Sequence, residues 1–232
     1  MACLLAANPG APAYALDCGL APVPYTASYS VNRNGDPDGS MTVTLEHAET
    51  GGYRYDMDTR VRWGIFTLYI EEQSDFRFRD GIVMPDNFQL TQRVSIYKRR
   101  EMVEFDWDSM KATGEKKRDD FNLDIVPGMQ DKLSVYLWMA DSLCRGDYDF
   151  EADVVSGPVL KSYDYRFQSL EPLDTSLGPV ETIHIRRGGP DDDKQTDLWH
   201  AAAARFLPVK MVYRDGDIIT DIRLLNISFG EG

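Results

Sequence analysis

The chain has 232 residues, 43% of them hydrophobic and 27% charged, which is enough apolar content to fill a sizeable core. Its 38 acidic residues outnumber 25 Lys and Arg, for a net charge of −13, so the basic footprint of a duplex-binding protein is missing. No apolar stretch approaches the ~20 residues that span a bilayer. Disorder, collagen, coiled coil and a membrane span are set aside, and no nucleic-acid partner is expected.

Residues 1–15, MACLLAANPGAPAYA, carry no charge and are mostly small or apolar. Ala13-Tyr14-Ala15 fits the small-x-small rule for signal peptidase, with Ala11-Pro12-Ala13 as a second candidate. The apolar core runs only from Ala2 to Ala7 and no basic residue precedes it. The segment therefore reads as a signal-peptide remnant behind a start codon placed too far downstream, and a flexible tail is the alternative. Cys18 is not expected to be lipidated, because Asp17 stands where a small residue is needed. With cleavage after Ala15, Cys18 and Cys144 remain, and an even pair in an oxidising compartment predicts one disulfide. Two unrelated buried thiols are the other reading. Residues 16–232 are expected to form a single β-rich domain.

Strand signals dominate the rest of the chain. Tyr25, Ala27, Tyr29 and Val31 alternate with Thr26, Ser28 and Ser30, the period of a half-buried strand. The turn 32–39 leads into Met41, Val43 and Leu45, making a first hairpin. Residues 53–63 alternate again, and Gly64 breaks the run before Phe66, Leu68 and Ile70. Further strands are predicted at 74–79, 82–84, 87–97, 102–106 and 122–125. Asp80-Gly81 and Lys111-Ala-Thr-Gly114 are read as turns between them. The run Lys98-Arg99-Arg100 is too short for a nucleic-acid patch and reads as a solvated hairpin tip. From Met129 to Arg145 the pattern changes, with Leu133, Tyr136, Leu137, Ala140 and Leu143 recurring at helical spacing. Pro127-Gly128 precedes this helix and Gly146 ends it. Trp138 falls on its polar arc and must be covered by a sheet edge, a loop or a ligand. Strands resume at 147–155, 161–170, 180–187, 197–202, 207–214 and 218–228. The fold predicted is mostly β: one large curved antiparallel sheet, an open or half barrel, with one central α-helix at about 129–145.

The ordered pieces Val103-Glu-Phe-Asp-Trp107, Gln130-Asp-Lys-Leu-Ser134, Tyr163-Asp-Tyr-Arg-Phe167, Thr182-Ile-His-Ile-Arg-Arg187, Asp197-Leu-Trp199 and Leu207-Pro-Val-Lys-Met211 make the chain recognisable. A last strand ends Leu224-Leu-Asn-Ile227. Together they resemble the exported bacterial family known as domain of unknown function 3108, from about Tyr25 to Ser228. Members are similar in architecture to periplasmic lipoprotein carriers, in which a curved sheet wraps around short helices. The resemblance implies a periplasmic location in a Gram-negative envelope, a β-rich fold and an apolar ligand. It carries no catalytic residue.

Chemistry is sparse. His47, His184 and His200 have no zinc-site spacing, and no Gly-x-Ser-x-Gly or phosphate-binding glycine loop occurs. Asn34-Gly-Asp-Pro-Asp-Gly39 imitates the opening of a calcium loop, but Leu45 stands where the bidentate glutamate belongs, so a hairpin loop is the stronger reading. No metal and no cofactor are expected, and no enzyme activity. The aromatic residues Trp63, Phe66, Tyr136, Trp138 and Trp199 are the candidate ligand contacts. The function expected is non-catalytic binding or carriage of a lipid or other amphiphilic envelope molecule. A filled-barrel scaffold for an envelope protein partner is the alternative, and a hydrolase of envelope polymer a weaker one.

Overall fold

A computed structural model of the chain describes Cys18 and residues 21–49, 51–189 and 192–230. The signal-peptide remnant expected at 1–15 lies outside the described residues. A first meander comprises β1 (Tyr25–Arg33), β2 (Asp36–His47), β3 (Tyr53–Trp63), β4 (Phe66–Arg79), β5 (Ile82–Val94), β6 (Tyr97–Asp106), β7 (Lys111–Lys116) and β8 (Asp119–Asp124). The helix α1 (Val135–Cys144) separates it from a second meander: β9 (Phe150–Val155), β10 (Leu160–Thr175), β11 (Gly178–Arg187), β12 (Lys194–Ala201), β13 (Pro208–Asp215) and β14 (Ile218–Phe229). The 14 strands form one sheet in the order β8-β7-β6-β5-β4-β3-β2-β1-β14-β13-β12-β11-β10-β9. The first and last strands therefore pair at the middle, Tyr25 opposite Phe229 and Arg33 opposite Thr220. The free edges are β8 and β9, and the sheet does not close on itself.

The inward face is set by period-two burial. On β1, Tyr25, Ala27, Tyr29 and Val31 are buried while the residues between them are not. Met41, Val43 and Leu45 on β2 and Tyr53, Tyr55 and Met57 on β3 continue the same surface. The helix lies against it, and no residue of α1 is exposed. It is a helix buried all round rather than one with a polar, solvated arc.

One residue bridges the open seam. Gln130 pairs in parallel with Val154: its N–H donates to Asp153 O at 2.9 Å and its carbonyl accepts from Val155 N at 2.9 Å. Its side-chain Nε2 donates to Val83 O, on β5, at 3.0 Å. The polar edge of β9 is thus covered and tied to the other meander. Lys116 Nζ adds a second link, donating to Ser156 O at 3.2 Å.

Three local expectations are revised. The helix begins at Val135 rather than near 129, because Gln130 is spent on the β9 edge and Asp131 caps the turn after it. Asp131 Oδ1 accepts from the N–H groups of Leu133 and Ser134 at 2.7 and 2.8 Å, and Ser134 Oγ accepts from Asp131 N at 3.0 Å. Lys111–Gly114 is not a turn but part of β7. Gly114 is there because a Cβ would lie 1.9 Å from Met102 O on the adjacent strand. The turn proper is Lys117-Arg118, both at positive φ. Finally, Pro85 does not end its strand. β5 runs through it, and the register shifts beside it at Phe76, so Asp86 bulges out and the missing N–H of the proline disturbs no regular ladder. Residues 34–39 form a two-residue Asn34-Gly35 hairpin turn, with positive φ at both, and then the start of β2.

Cys18 and Cys144 are joined as a disulfide across a sequence separation of 126, with their Cα atoms 5.6 Å apart. The bond pins the chain before β1 to the last turn of α1.

Candidate functional site

Inward-facing positions of the sheet should be apolar, so charged residues in that phase mark special places. Several runs break the rule, among them Val31-x-Arg33, Leu68-x-Ile70-x-Glu72, Ile183-x-Ile185-x-Arg187 and Glu101-x-Val103-x-Phe105. Glu72 and Arg187, together with Lys132 before the helix, line a half-open pocket of about 580 Å³ between the two meanders. This lies within the ~300–1,000 Å³ typical of small-molecule sites. Its apolar walls are built from Met41, Met57, Val61, Leu68, Ile70 and Ile222, with Val135 of α1 forming part of the floor.

The polar groups are held in place. Arg187 lies with its guanidinium carbon 4.1 Å from the centre of the Tyr163 ring and donates to Thr196 Oγ1 at 3.0 Å. The Tyr136 hydroxyl on α1 meets that of Tyr213 on β13 at 2.7 Å. Burial raises the pKa of both phenols, that of Tyr213 to about 12, so each stays a neutral hydrogen-bonding group. Glu101 is fully buried behind the pocket. Its Oε1 accepts from Lys132 Nζ at 2.5 Å, and its Oε2 lies 3.1 Å from Lys116 Nζ. Burial works to raise the Glu101 pKa, but the two lysines outweigh it and hold the group ionised. Glu72 differs: burial pushes its carboxyl up to about 7, Lys132 holding it back while Asp131 and Glu101 add to the rise. At neutral pH the pocket thus holds a titrating acid, an ammonium and the guanidinium groups of Arg33 and Arg187 above an apolar floor. Such a lining suits a molecule with a greasy body and a charged or hydrogen-bonding head.

A second polar cluster sits on the outer face of the other meander. Asp197 takes hydrogen bonds from His184 Nε2 at 2.7 Å, from Arg186 Nε at 2.6 Å and from Arg214. Burial opposes ionisation, but these three donors hold its carboxyl well below the usual range. The His184 ring stacks on Trp199 with the ring centres 4.1 Å apart, and Lys210 Nζ lies 4.0 Å from the centre of the same indole. Trp199 Nε1 donates to Glu171. This arrangement is a cross-strand ladder in which every partner is supplied by the protein.

The aromatic residues expected to contact a ligand are dispersed. Tyr136 lines the pocket. Trp138 packs edge-on against Phe150 of β9, ring centres 5.3 Å apart, so a sheet edge covers it. Trp199 belongs to the outer ladder. Phe66 sits at the tip of the β3–β4 hairpin beside a shallow cleft shared with Ile65, Tyr69 and Arg93. Trp63 ends β3, and its side chain lies outside what the structure describes. Glu72, Lys132, Arg187, Tyr163 and Tyr213 are pocket residues that the sequence reading does not reach, although charge in inward phase is a readable signal for Glu72 and Arg187. Among the described residues, no group of three or more His, Cys, Asp or Glu is placed to hold a metal ion, and no helix is long and apolar enough to cross a membrane.

An unclosed β-barrel plugged by a single helix, with an amphiphilic pocket between sheet and helix, is the class of protein that the fold and the site define. The chain belongs to the family described as protein of unknown function (DUF3108), whose model matches residues 24–219. Among solved structures it is similar to the crystal structure of a beta-barrel-like protein of domain of unknown function DUF1849 from Brucella abortus. That chain is 12% identical, with a TM-score of 0.61, and the match covers 90% of this chain and 98% of that one. At such identity the likeness concerns the fold alone. No curated protein matches the chain.

Proposed function

We infer that the chain is an exported, periplasmic envelope protein that binds an amphiphilic molecule non-covalently in the pocket between α1 and the sheet. The observation that carries this reading is the pocket itself, about 580 Å³ in volume, apolar below and lined by Glu72, Lys132 and Arg187. A barrel of this kind holds a small ligand where side chains leave its interior unfilled. The Cys18–Cys144 bond fits an oxidising compartment. The hydrogen-bond partners of the His184–Asp197 pair all belong to the sheet, so the reading needs no catalytic step.

The test is native mass spectrometry of gently purified protein, before and after incubation with a single-chain lysophospholipid. A reproducible added mass that disappears on denaturation, and that Ile70→Trp abolishes by filling the pocket, supports the reading. A bare mass under both conditions sinks it and favours the scaffold alternative, in which the barrel serves a protein partner.

A further inference from the structure

The pocket lies below one end of the sheet, and the hairpin tips at that end have an unusual composition. β4 is hydrogen-bonded to both β3 and β5, so the β3–β4 and β5–β6 turns stand side by side. Leu68 pairs with Val94, which places Ile65, three residues beyond Leu68, nearly level with Ile96, two beyond Val94. Both isoleucines point into solvent: Ile65 is 93% exposed and Ile96 91%. Tyr97 is 75% exposed next to them. Other aliphatic strand residues reach the surface, but among the described residues the next most exposed is Leu170 at 59%, so the two isoleucines stand apart in how fully they project.

The charges around these tips run against the rest of the molecule. Residues 59–70 and 91–100 contain Arg60, Arg62, Arg93, Lys98, Arg99 and Arg100 and none of the protein's 38 acidic residues. In a chain of net charge −13 this is a local excess of positive charge, with Arg93 paired to Glu71 just outside the first span. The Arg60 and Arg93 guanidinium groups flank the Tyr69 ring at 5.7 and 5.9 Å, forming a cationic and aromatic collar just behind the tips. Apolar side chains foremost, with aromatic rings and cations together behind them, is the layering that matches a bilayer surface: acyl boundary first, then an interface with anionic headgroups.

We propose that the β3–β4 and β5–β6 tips dock the protein on an anionic lipid bilayer, with Ile65 and Ile96 entering the acyl boundary and the basic residues meeting the headgroups. The occupant is an anionic membrane rather than an acidic protein, because two isolated, fully projecting isoleucines offer no concave surface for a folded partner but suit a fluid one. The charge then orients the molecule: at the same end Asp119 and Asp120 flank the β7–β8 turn and Asp215 and Asp217 the β13–β14 turn, so an anionic surface draws the β3–β4 and β5–β6 tips and repels those carboxylates. Docking in this way sets the pocket mouth against the membrane. The inference goes beyond ligand binding, because it holds whatever fills the pocket.

The experiment is flotation of the full chain with vesicles of phosphatidylglycerol and phosphatidylethanolamine, and with phosphatidylcholine vesicles as comparison, at low and raised salt. The expected result is binding to the anionic vesicles only, weakened by salt as exposed charge interactions are screened. Ile65→Ser and Ile96→Ser should each lower partitioning by about tenfold or more. Lys98→Glu should lower it by about fivefold or more, because an anion replaces one interfacial cation. All three positions are exposed, so circular dichroism should show the fold unchanged, and Ile70→Trp, which fills the pocket, should leave vesicle binding intact. Absence of binding to anionic vesicles at low salt overturns the proposal. So does equal binding to phosphatidylcholine, or binding that the tip substitutions leave unaltered.

Discussion

Replacing Glu72 by glutamine removes the pocket acid whose proton affinity the fold has changed. In an unfolded chain its carboxyl titrates near 4.5, and in the folded pocket burial raises it to about 7. Between those values the native protein keeps a proton that the unfolded chain has lost, so stability falls as pH rises through the window and stays low above it. At ~1.36 kcal/mol per pH unit the window is worth about 3 kcal/mol, a figure trimmed by water entering the open mouth. His200 acts in the opposite direction. It is fully buried, its Nδ1 paired with Phe206 O at 2.7 Å, and burial lowers its pKa from 6.5 to about 4. The native state refuses a proton that the unfolded state accepts, so stability is lost as pH falls through that range, again by about 3 kcal/mol. The two slopes oppose each other over most of the same pH interval, and the wild-type curve conceals both. The informative quantity is the difference between wild type and Glu72→Gln, measured by urea unfolding at steps across the window from 4.5 to 7. The variant should gain on the wild type progressively, reaching about 3 kcal/mol above pH 7. A difference that is constant with pH would refute the raised carboxyl.

Glu101→Gln removes the buried carboxylate shared by the Lys116 and Lys132 ammonium groups and should cost about 3 kcal/mol, read as a lower urea midpoint. Gln130→Ala keeps the backbone bridge to β9 but abandons the Val83 carbonyl. It should cost about 1–3 kcal/mol, with the Val155 amide exchanging faster in hydrogen-exchange experiments. Reducing the Cys18–Cys144 bond frees a loop spanning a separation of 126 residues, and the chain-entropy estimate for that loss is about 5 kcal/mol. A denaturation midpoint that reductant does not move would show that the bond contributes nothing to stability.

Much of the sheet is legible because each strand carries its own period-two record. Tyr25 to Val31, Met41 to Leu45 and the turn at Gly64 are local facts, and the structure places them as read. β7 escapes such a reading because Gly114 looks like a turn residue in sequence, whereas it answers to the Met102 carbonyl on a neighbouring strand. The start of the helix is hidden for a related reason, since Gln130 is occupied by β9, which comes later in the chain. The pocket is the hardest part to foresee. Glu72 and Arg187 lie on β4 and β11, strands that the sequence separates by the helix and several hairpins. Trp138 draws attention by its phase on the helix, yet its cover comes from Phe150, beyond the end of α1 on the first strand of the second meander.

The seam between β1 and β14 also governs the order of assembly. Asn34 and Ile219, which exchange hydrogen bonds across it, are 185 residues apart. At ~5–20 residues per second of synthesis, β1 waits about 10–40 s before its second neighbour exists. Through that interval the Tyr25–Val31 face has one partner strand and an open ladder on its other side, the exposure from which strands of different molecules pair. The alternating Thr26, Ser28 and Ser30 on the opposite face do nothing to block that edge. Contacts this distant in sequence also make for slow folding in the free chain. The middle of the sheet is thus the last part that the chain can complete, and the β1 edge stays unpaired on that side until β14 arrives.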